Sequence, residues 1–286
     1  MTSTPPTAPP TRVEYPWALR VWRSLRFGLA RLASRDGYVQ ARAAPFDLTF
    51  TGPGADVITR HIYRLGAHEP VITRYLLEHV RLGPGDVALD VGANIGWYSV
   101  LLDRLSEPGA QIFAFEPDPK TYGLLTRNLA ANAAARVTAL NLALGEADGT
   151  AQLRRYKDSN NGRHTLIATP RAGETVEVAV RTLESFWRAQ RLGERPIRVL
   201  KIDVEGFEYF VLRGAGELLG RCENVLLEYS PAGLSLAGLE PGALIELLRR
   251  ARLQARAFLG GELVPISLAQ LSQVQHQHDL LLGPQR

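Results

Sequence analysis

Val87-Ala88-Leu89-Asp90-Val91-Gly92-Ala93-Asn94-Ile95-Gly96 decides how the rest of the chain is arranged. Val87, Ala88 and Leu89 form a short apolar run suited to a buried strand, and Asp90 sets a carboxylate where that strand ends. Gly92 and Gly96 bracket a turn from which Trp97-Tyr98-Ser99-Val100-Leu101-Leu102 leaves as a helix. Strand, glycine turn and helix in that order bring backbone N–H groups and the positive end of a helix beside a bound ligand.

Toward the carboxyl end, strands and helices alternate. Gln111–Phe115 is a strand ending in Glu116, and Asp118 caps a helix carrying Tyr122, Leu124, Leu125 and Leu129. Arg136–Leu142 is a third strand. The region 146–180 is irregular, with Asp158-Ser159-Asn160-Asn161-Gly162 as a turn between two β-like runs. Thr182–Gln190 reads as a short helix, Arg198–Ile202 as a strand ending at Asp203, and Tyr209–Leu219 as a helix. Val225–Leu227 is a strand ending at Glu228. Ala243–Leu253 is a helix, and Ala255–Leu259 and Asp279–Leu282 are the last strands. This pattern predicts an α/β fold whose mostly parallel sheet is covered by helices on both faces. Ligands of such sheets lie beyond the carboxyl ends of the strands. Asp90, Glu116, Asp203 and Glu228 all fall on that edge, which marks it as a site.

Toward the amino end, three segments are expected: a Pro/Thr-rich disordered tail over 1–16, a helix and hairpin over 17–65, and the main domain over 66–286. Trp17–Val39 carries arginines at 20, 23, 26, 31 and 35 among Trp22, Leu25, Leu29 and Leu32. It reads as a basic amphipathic helix, too polar to span a bilayer. It would pack on the domain or on a second subunit in a homo-oligomer, with peripheral membrane contact through 17–39 the lesser alternative. Phe46–Phe50 and Val57–Ile62 are β-like runs separated by Gly52-Pro53-Gly54, and read as a hairpin or lid. Pro70 suits the first turn of a helix bearing Val71, Ile72, Tyr75, Leu76 and Val80.

Hydrophobic residues make up 45% of the 286 and charged residues 22%, an ordinary globular composition. The net charge of +4 is carried by scattered arginines, so no nucleic-acid partner is expected. The single cysteine, Cys222, excludes an intrachain disulfide framework and fits a cytoplasmic location, as does the lack of a signal-peptide pattern.

Two cofactors compete for the glycine turn. A dinucleotide site needs Gly at the position held here by Asn94, and Asp90 would stand close to its phosphates. S-adenosylmethionine carries a sulfonium and an ammonium and no phosphate. Asp90 can attract its positive end, while the amides of the turn through Gly92, Ala93 and Gly96, together with Asn94, can hold its carboxylate or ribose. Glu116 can accept hydrogen bonds from both ribose hydroxyls of either cofactor.

Asp90-Val91-Gly92-Ala93-Asn94-Ile95-Gly96, Phe115-Glu116-Pro117-Asp118-Pro119 and Leu200-Lys201-Ile202-Asp203-Val204-Glu205-Gly206-Phe207-Glu208 resemble the FkbM-type S-adenosylmethionine-dependent methyltransferases. Asn128-Leu129 to Asn132, Ala143-Leu144-Gly145, Arg213-Gly214-Ala215 and Leu227-Glu228 add to the resemblance, which spans about residues 66–283. It implies a Rossmann-like class I methyltransferase sheet of seven strands with an antiparallel last strand. It also implies methyl transfer, commonly to a hydroxyl of a sugar or other natural product. By the same carry-over Asp90, Gly92, Asn94, Gly96 and Glu116 bind the cofactor, and the stretch Asn141 to Leu144, with Ala143, flanks the adenine. Arg181-Thr182-Leu183-Glu184 departs from the family's usual Thr-Leu-Asp and alters a helix start.

The acceptor oxygen must lose its proton near the transition state, which a carboxylate or histidine can assist. Lys201, Asp203 and Glu205 alternate on a strand and so face one side. Asp203 or Glu205 would position and deprotonate the acceptor hydroxyl, with Lys201 holding the carboxylates charged or orienting the acceptor. His164, on the loop expected to overhang the site, and Glu69, at a helix start, are further contacts to acceptor and cofactor. Asp203, Glu205 and Glu228 could ligate magnesium, but their spacing does not require it and no metal is expected. The acceptor is expected to be a small molecule or glycan. N- or C-methylation on the same fold, and a non-catalytic cofactor-binding protein, stay open as alternatives.

Overall fold

The computed structural model describes residues 14–155, 164–167 and 173–285. The expected tail lies outside the described residues up to Val13, as does the turn Asp158–Gly162.

The amino-terminal part runs α1 (Trp17–Ala33), β1 (Tyr38–Ala43), β2 (Leu48–Pro53), α2 (Val57–Leu65) and α3 (Pro70–His79). Next come β3 (Val87–Val91), α4 (Trp97–Arg104), β4 (Gln111–Phe115), α5 (Pro119–Ala131), β5 (Val137–Leu140) and β6 (Ala143–Leu144). The middle holds β7 (Gly149–Arg154), β8 (Thr175–Arg181), α6 (Leu183–Ala189), β9 (Ile197–Ile202), α7 (Glu208–Ala215) and β10 (Val225–Tyr229). The chain closes through α8 (Pro231–Leu236), α9 (Pro241–Arg250), β11 (Leu253–Leu259), β12 (Glu262–Ile266), α10 (Leu268–Leu271) and β13 (His278–Pro284).

The main sheet has the order β12-β11-β13-β10-β9-β3-β4-β5. β5, β4, β3, β9 and β10 pair in parallel, and β13 inserts antiparallel between β10 and β11. The expected Rossmann-like sheet with its antiparallel last strand is therefore present. It has eight strands rather than seven, because Gly260 (φ +59°) and Gly261 (φ +91°) turn β11 straight back into β12. Both central residues of that turn need positive φ, which glycine adopts without strain.

Alternation along the strands splits the core in two. Val87, Leu89, Val91, Phe113 and Phe115 pack with Phe186 and Trp187 of α6 and with α7 and α9. Ala88, Ile112 and Ala114 face the other way, onto Leu76 of α3, Leu101 of α4 and Leu125 of α5. β3 is buried at all five positions, as expected for a strand with helices on both faces.

Two amino-terminal elements differ from the sequence expectation. The first helix stops at Ala33, and Gly37 (φ +77°) opens β1, so that β1 and β2 form the hairpin. Val57–Ile62 belongs to a helix rather than a strand: Asp56 accepts a hydrogen bond from Thr59 N at 2.9 Å, and Gly66 closes the far end in the left-handed region. The run Val57-Ile58-Thr59 has strand character by propensity, and the cap overrides it. The hairpin docks on α5 through two asparagines. Asn128 accepts from Thr51 N (2.8 Å) and donates to Thr51 O (3.0 Å) and Ile95 O (2.8 Å). Asn132 accepts from Thr49 N (2.9 Å) and donates to Thr49 O (2.8 Å).

Candidate active site

A cavity of about 1280 Å³, counting the solvent at its mouth, lies at the carboxyl ends of β3, β4, β9 and β10. Gly92 holds φ +79°, and a Cβ there would lie 1.9 Å from the carbonyl oxygen of Asp203. The absent side chain thus lets the end of β9 close against the loop, where Asp203 N donates to Val91 O at 3.1 Å. Gly96, at φ +93°, starts α4 against Leu125.

The amides of this loop serve the protein itself. Gly92 N and Ala93 N both donate to Phe115 O, at 3.0 and 2.9 Å, and Gly96 N donates to Ala93 O at 2.9 Å. Asn94 N donates to Glu116 Oε2 at 3.0 Å, while Asp118 N donates to Glu116 Oε1 at 2.9 Å. What the loop presents is therefore a carboxylate clamped between two amides, with lone pairs to spare for further donors. Burial pushes the Glu116 carboxyl up to about 8, against the pull of those amides. Asn94, at φ +50°, turns its side chain to the cavity lining, and among the described residues its buried Oδ1 has no hydrogen-bond partner. On the same side Phe115, Pro117, Leu142, Ala143 and Leu144 form an apolar wall.

Asp90 lies beneath the lining. It is fully buried, accepts from Ser99 Oγ at 2.6 Å, and its other oxygen lies 3.9 Å from Lys201 Nζ. Burial raises its pKa, and Lys201 opposes that rise. Lys201 Nζ lies 3.0 Å from Asp203 Oδ2 and 4.8 Å from the centre of the Tyr98 ring. Burial alone would strip its proton, but Asp203, Asp90 and Glu69 outweigh it and hold the ammonium charged. Glu69 has φ +41°, accepts from the Tyr98 hydroxyl, and has Oε1 3.3 Å from His68 Nε2. Burial raises its pKa, and His68, Lys201 and Tyr98 together bring it well below the carboxylate range.

Lys201, Asp203, Glu205, Glu69 and His164 all line this one cavity, but not as alternate positions of one strand. β9 ends at Ile202, and Glu205 sits in a left-handed turn at φ +52°. Glu208 makes that turn by accepting from Val204 N (3.2 Å) and Gly206 N (3.0 Å). The segment 164–167 is stitched in by Thr165, which bonds Arg154 through both backbone groups and donates from Oγ1 to Glu205 O at 2.9 Å.

Two contributors escaped the sequence. Tyr98 joins Glu69 to Lys201, yet in the helix pattern it looks like one more core aromatic. Asp279 pairs across β13 with Glu228 of β10, and an acid opening the run Leu280-Leu281-Leu282 was its only signal. Burial first, then neighbouring carboxylates, push Glu228 up to about 9 and Asp279 to about 7. Among the described residues no three Asp, Glu, His or Cys side chains are grouped to hold a metal ion.

The donor set fits S-adenosylmethionine. Glu69 and Asp203 stand beside Lys201 and Glu205 lines the same cavity, a field that favours a cationic ligand. Glu116 and the orphaned Asn94 oxygen want donors, and the apolar wall beside them suits a flat base.

Residues 90–253 match the Methyltransferase FkbM domain. The hexuronic acid methyltransferase AglP of Haloferax volcanii is 31% identical over 239 residues, 82% of this chain and 87% of that protein. Methyltransferase sdnD of Sordaria araneosa is 33% identical over 174 residues, 60% of each chain. The 31-O-demethyl-FK506 methyltransferase FkbM of Streptomyces tacrolimicus is 34% identical over 169 residues, 49% of this chain and 63% of its own. The chain thus spans less than two thirds of the length of the last two relatives.

Proposed function

The chain belongs to the FkbM methyltransferase family, and on that premise we propose that it methylates a hydroxyl oxygen of a sugar or similar polyhydroxylated small molecule, with S-adenosylmethionine as donor. The observation that carries the proposal is one cavity joining a clamped, donor-seeking Glu116 to the Lys201–Asp203 pair. The names of two relatives, one acting on a hexuronic acid and one on a demethylated oxygen, support the acceptor class.

The bound cofactor supplies an electrophilic methyl group on a positively charged sulfur. Glu116 accepts from the ribose hydroxyls, Asn94 Oδ1 takes a further donor, and Ala143 with Leu142 and Leu144 flanks the adenine. Asp90, beneath the lining, holds Ser99 on α4 and faces Lys201. The carboxylates of Glu69 and Glu205 would draw the cationic end inward. With the cofactor bound, Asp203 or Glu205 would take the proton that the acceptor hydroxyl gives up on methylation. Lys201, 3.0 Å from Asp203 Oδ2, orients that carboxylate for the step, and His164 meets the acceptor from the overhanging segment. Alignment in a water-poor cavity supplies much of the remaining rate.

Calorimetric titration with S-adenosylhomocysteine, followed by labelled methyl transfer to a panel of sugar acids and other polyols, tests this. Binding heat and a product carrying an O-methyl group are expected. Binding with N- or C-methylated product would overturn the oxygen assignment. Binding with no product on any acceptor would favour a cofactor-binding protein.

A further inference from the structure

α1 has one face that the other described residues leave uncovered. Its inner face is fixed: Phe27 is buried against Tyr63, with ring centres 5.1 Å apart. Arg23 donates to the carbonyls of Tyr63 (2.5 Å) and Arg42 (3.2 Å), and Ser24 accepts from Arg64 at 2.7 Å. The opposite face carries Trp17, Val21, Trp22, Leu25, Leu29 and Leu32, each between 46% and 82% exposed. Spacings of three and four residues put these six on one stripe. Proteins surrounded by water seldom leave so continuous an apolar strip without a partner.

Charge identifies the partner. From Trp17 to Arg35 there are five arginines and no aspartate or glutamate. Arg26 stacks on Trp22 at 4.7 Å, and Arg31 and Arg35 are exposed. Arg20 is paired with Glu14 at 3.1 Å, and a second copy laid on this face would bring Arg26, Arg31 and Arg35 against their own counterparts with only Asp36 close by to offset them. Residues 1–13 hold no large apolar side chain besides Met1 and Val13, too few to cover the stripe. A nucleic-acid backbone would match the arginines and leave the leucines in water. An anionic bilayer surface satisfies both features, since tryptophan rings and leucines enter the headgroup boundary while arginines reach phosphates. We propose that α1 docks the protein on an anionic lipid surface, lying in its plane. Among the described residues no helix is long and apolar enough to cross a membrane, which agrees with attachment at the surface.

The test is co-sedimentation of the full chain with vesicles of phosphatidylcholine alone or mixed equally with phosphatidylglycerol. Point variants are preferable to deleting the helix, because Arg23, Ser24 and Phe27 hold it to the tyrosines and to the end of β1. The wild type should pellet with the mixed vesicles only. The double variant Leu25→Glu, Leu29→Glu should stay in the supernatant with an unchanged melting temperature. Arg26→Gln with Arg31→Gln should lower partitioning about fivefold per charge, or about 1 kcal/mol each. A wild type that ignores anionic vesicles overturns the proposal, as does a leucine variant that still pellets. Loss of a wild-type dimer in the leucine variant, with vesicles still ignored, would make the face a protein interface instead.

Discussion

Glu116 shows how a single side chain can be both binding group and sensor. Burial, with the Asn94 and Asp118 amides opposing it, pushes the carboxyl up to about 8 in the cofactor-free protein. Ribose hydroxyls donate to the ionised form, so binding must expel a proton. Affinity for S-adenosylhomocysteine should therefore rise with pH through about 8, and Glu116→Gln should bind at least about tenfold more weakly with a flat profile; calorimetry on either side of that value reads both. Asp203→Asn makes a contrasting prediction: turnover falls about 10²- to 10⁴-fold while affinity for S-adenosylhomocysteine is kept. Unreduced turnover would leave Glu205 as the acceptor's base. Glu116, Lys201 and Asp203 were legible because a charged residue at or near the close of a buried strand stands where α/β sheets gather their ligands. The depth of Asp90 was not, since the pleat turns it with Ala88 toward α4 and away from the cavity. Nor was the link from Tyr98 to Glu69, which depends on how α3 and α4 are placed in space.

Among the elements, the hairpin β1–β2 is tied to α5 by asparagine side chains that bond its backbone. Asn128 satisfies Thr51 on both backbone groups and reaches Ile95 in the glycine loop. Asn128→Ala would orphan three buried backbone groups, and a loss of about 2–4 kcal/mol is expected from chemical denaturation, with weaker cofactor binding because the loop is released. Most strands and helices could be read from periodicity, and Thr182 caps α6 despite its departure from the family pattern, accepting from Ser185 N at 3.0 Å. Val57–Ile62 could not be read that way. Branched side chains favoured a strand, and only the Asp56 cap and the docking of the segment against β1 and α1 make it helical. The eighth strand was hidden for a different reason: Gly260-Gly261 is a hairpin signal, but Pro265 argues against a strand and the adjacent Leu263-Val264 break the apolar–polar alternation.

At the scale of the whole molecule, acid is concentrated in the cavity wall and on the elements just behind it. Glu116, Glu228, Glu208 and Asp279 are all pushed upward, to about 8, 9, 7 and 7, with burial as the first cause in each. A carboxyl whose folded value exceeds its unfolded one stabilises most below the unfolded value and loses that contribution as pH rises through the folded one. The melting temperature of the cofactor-free protein should therefore decline as pH climbs from about 4.5 toward about 9, and saturating S-adenosylmethionine, being cationic, should flatten the decline. Glu228→Gln should flatten it without cofactor; thermal scans across that range read all three curves. The alternation that predicted a layered α/β molecule says nothing of its rim, where β12 ends the sheet with Pro265 inside the strand. Proline has no amide hydrogen to offer a neighbouring strand. A molecule built this way can be crowded in a cell, or concentrated on a surface, with little danger that its outermost ribbon will template fibrils.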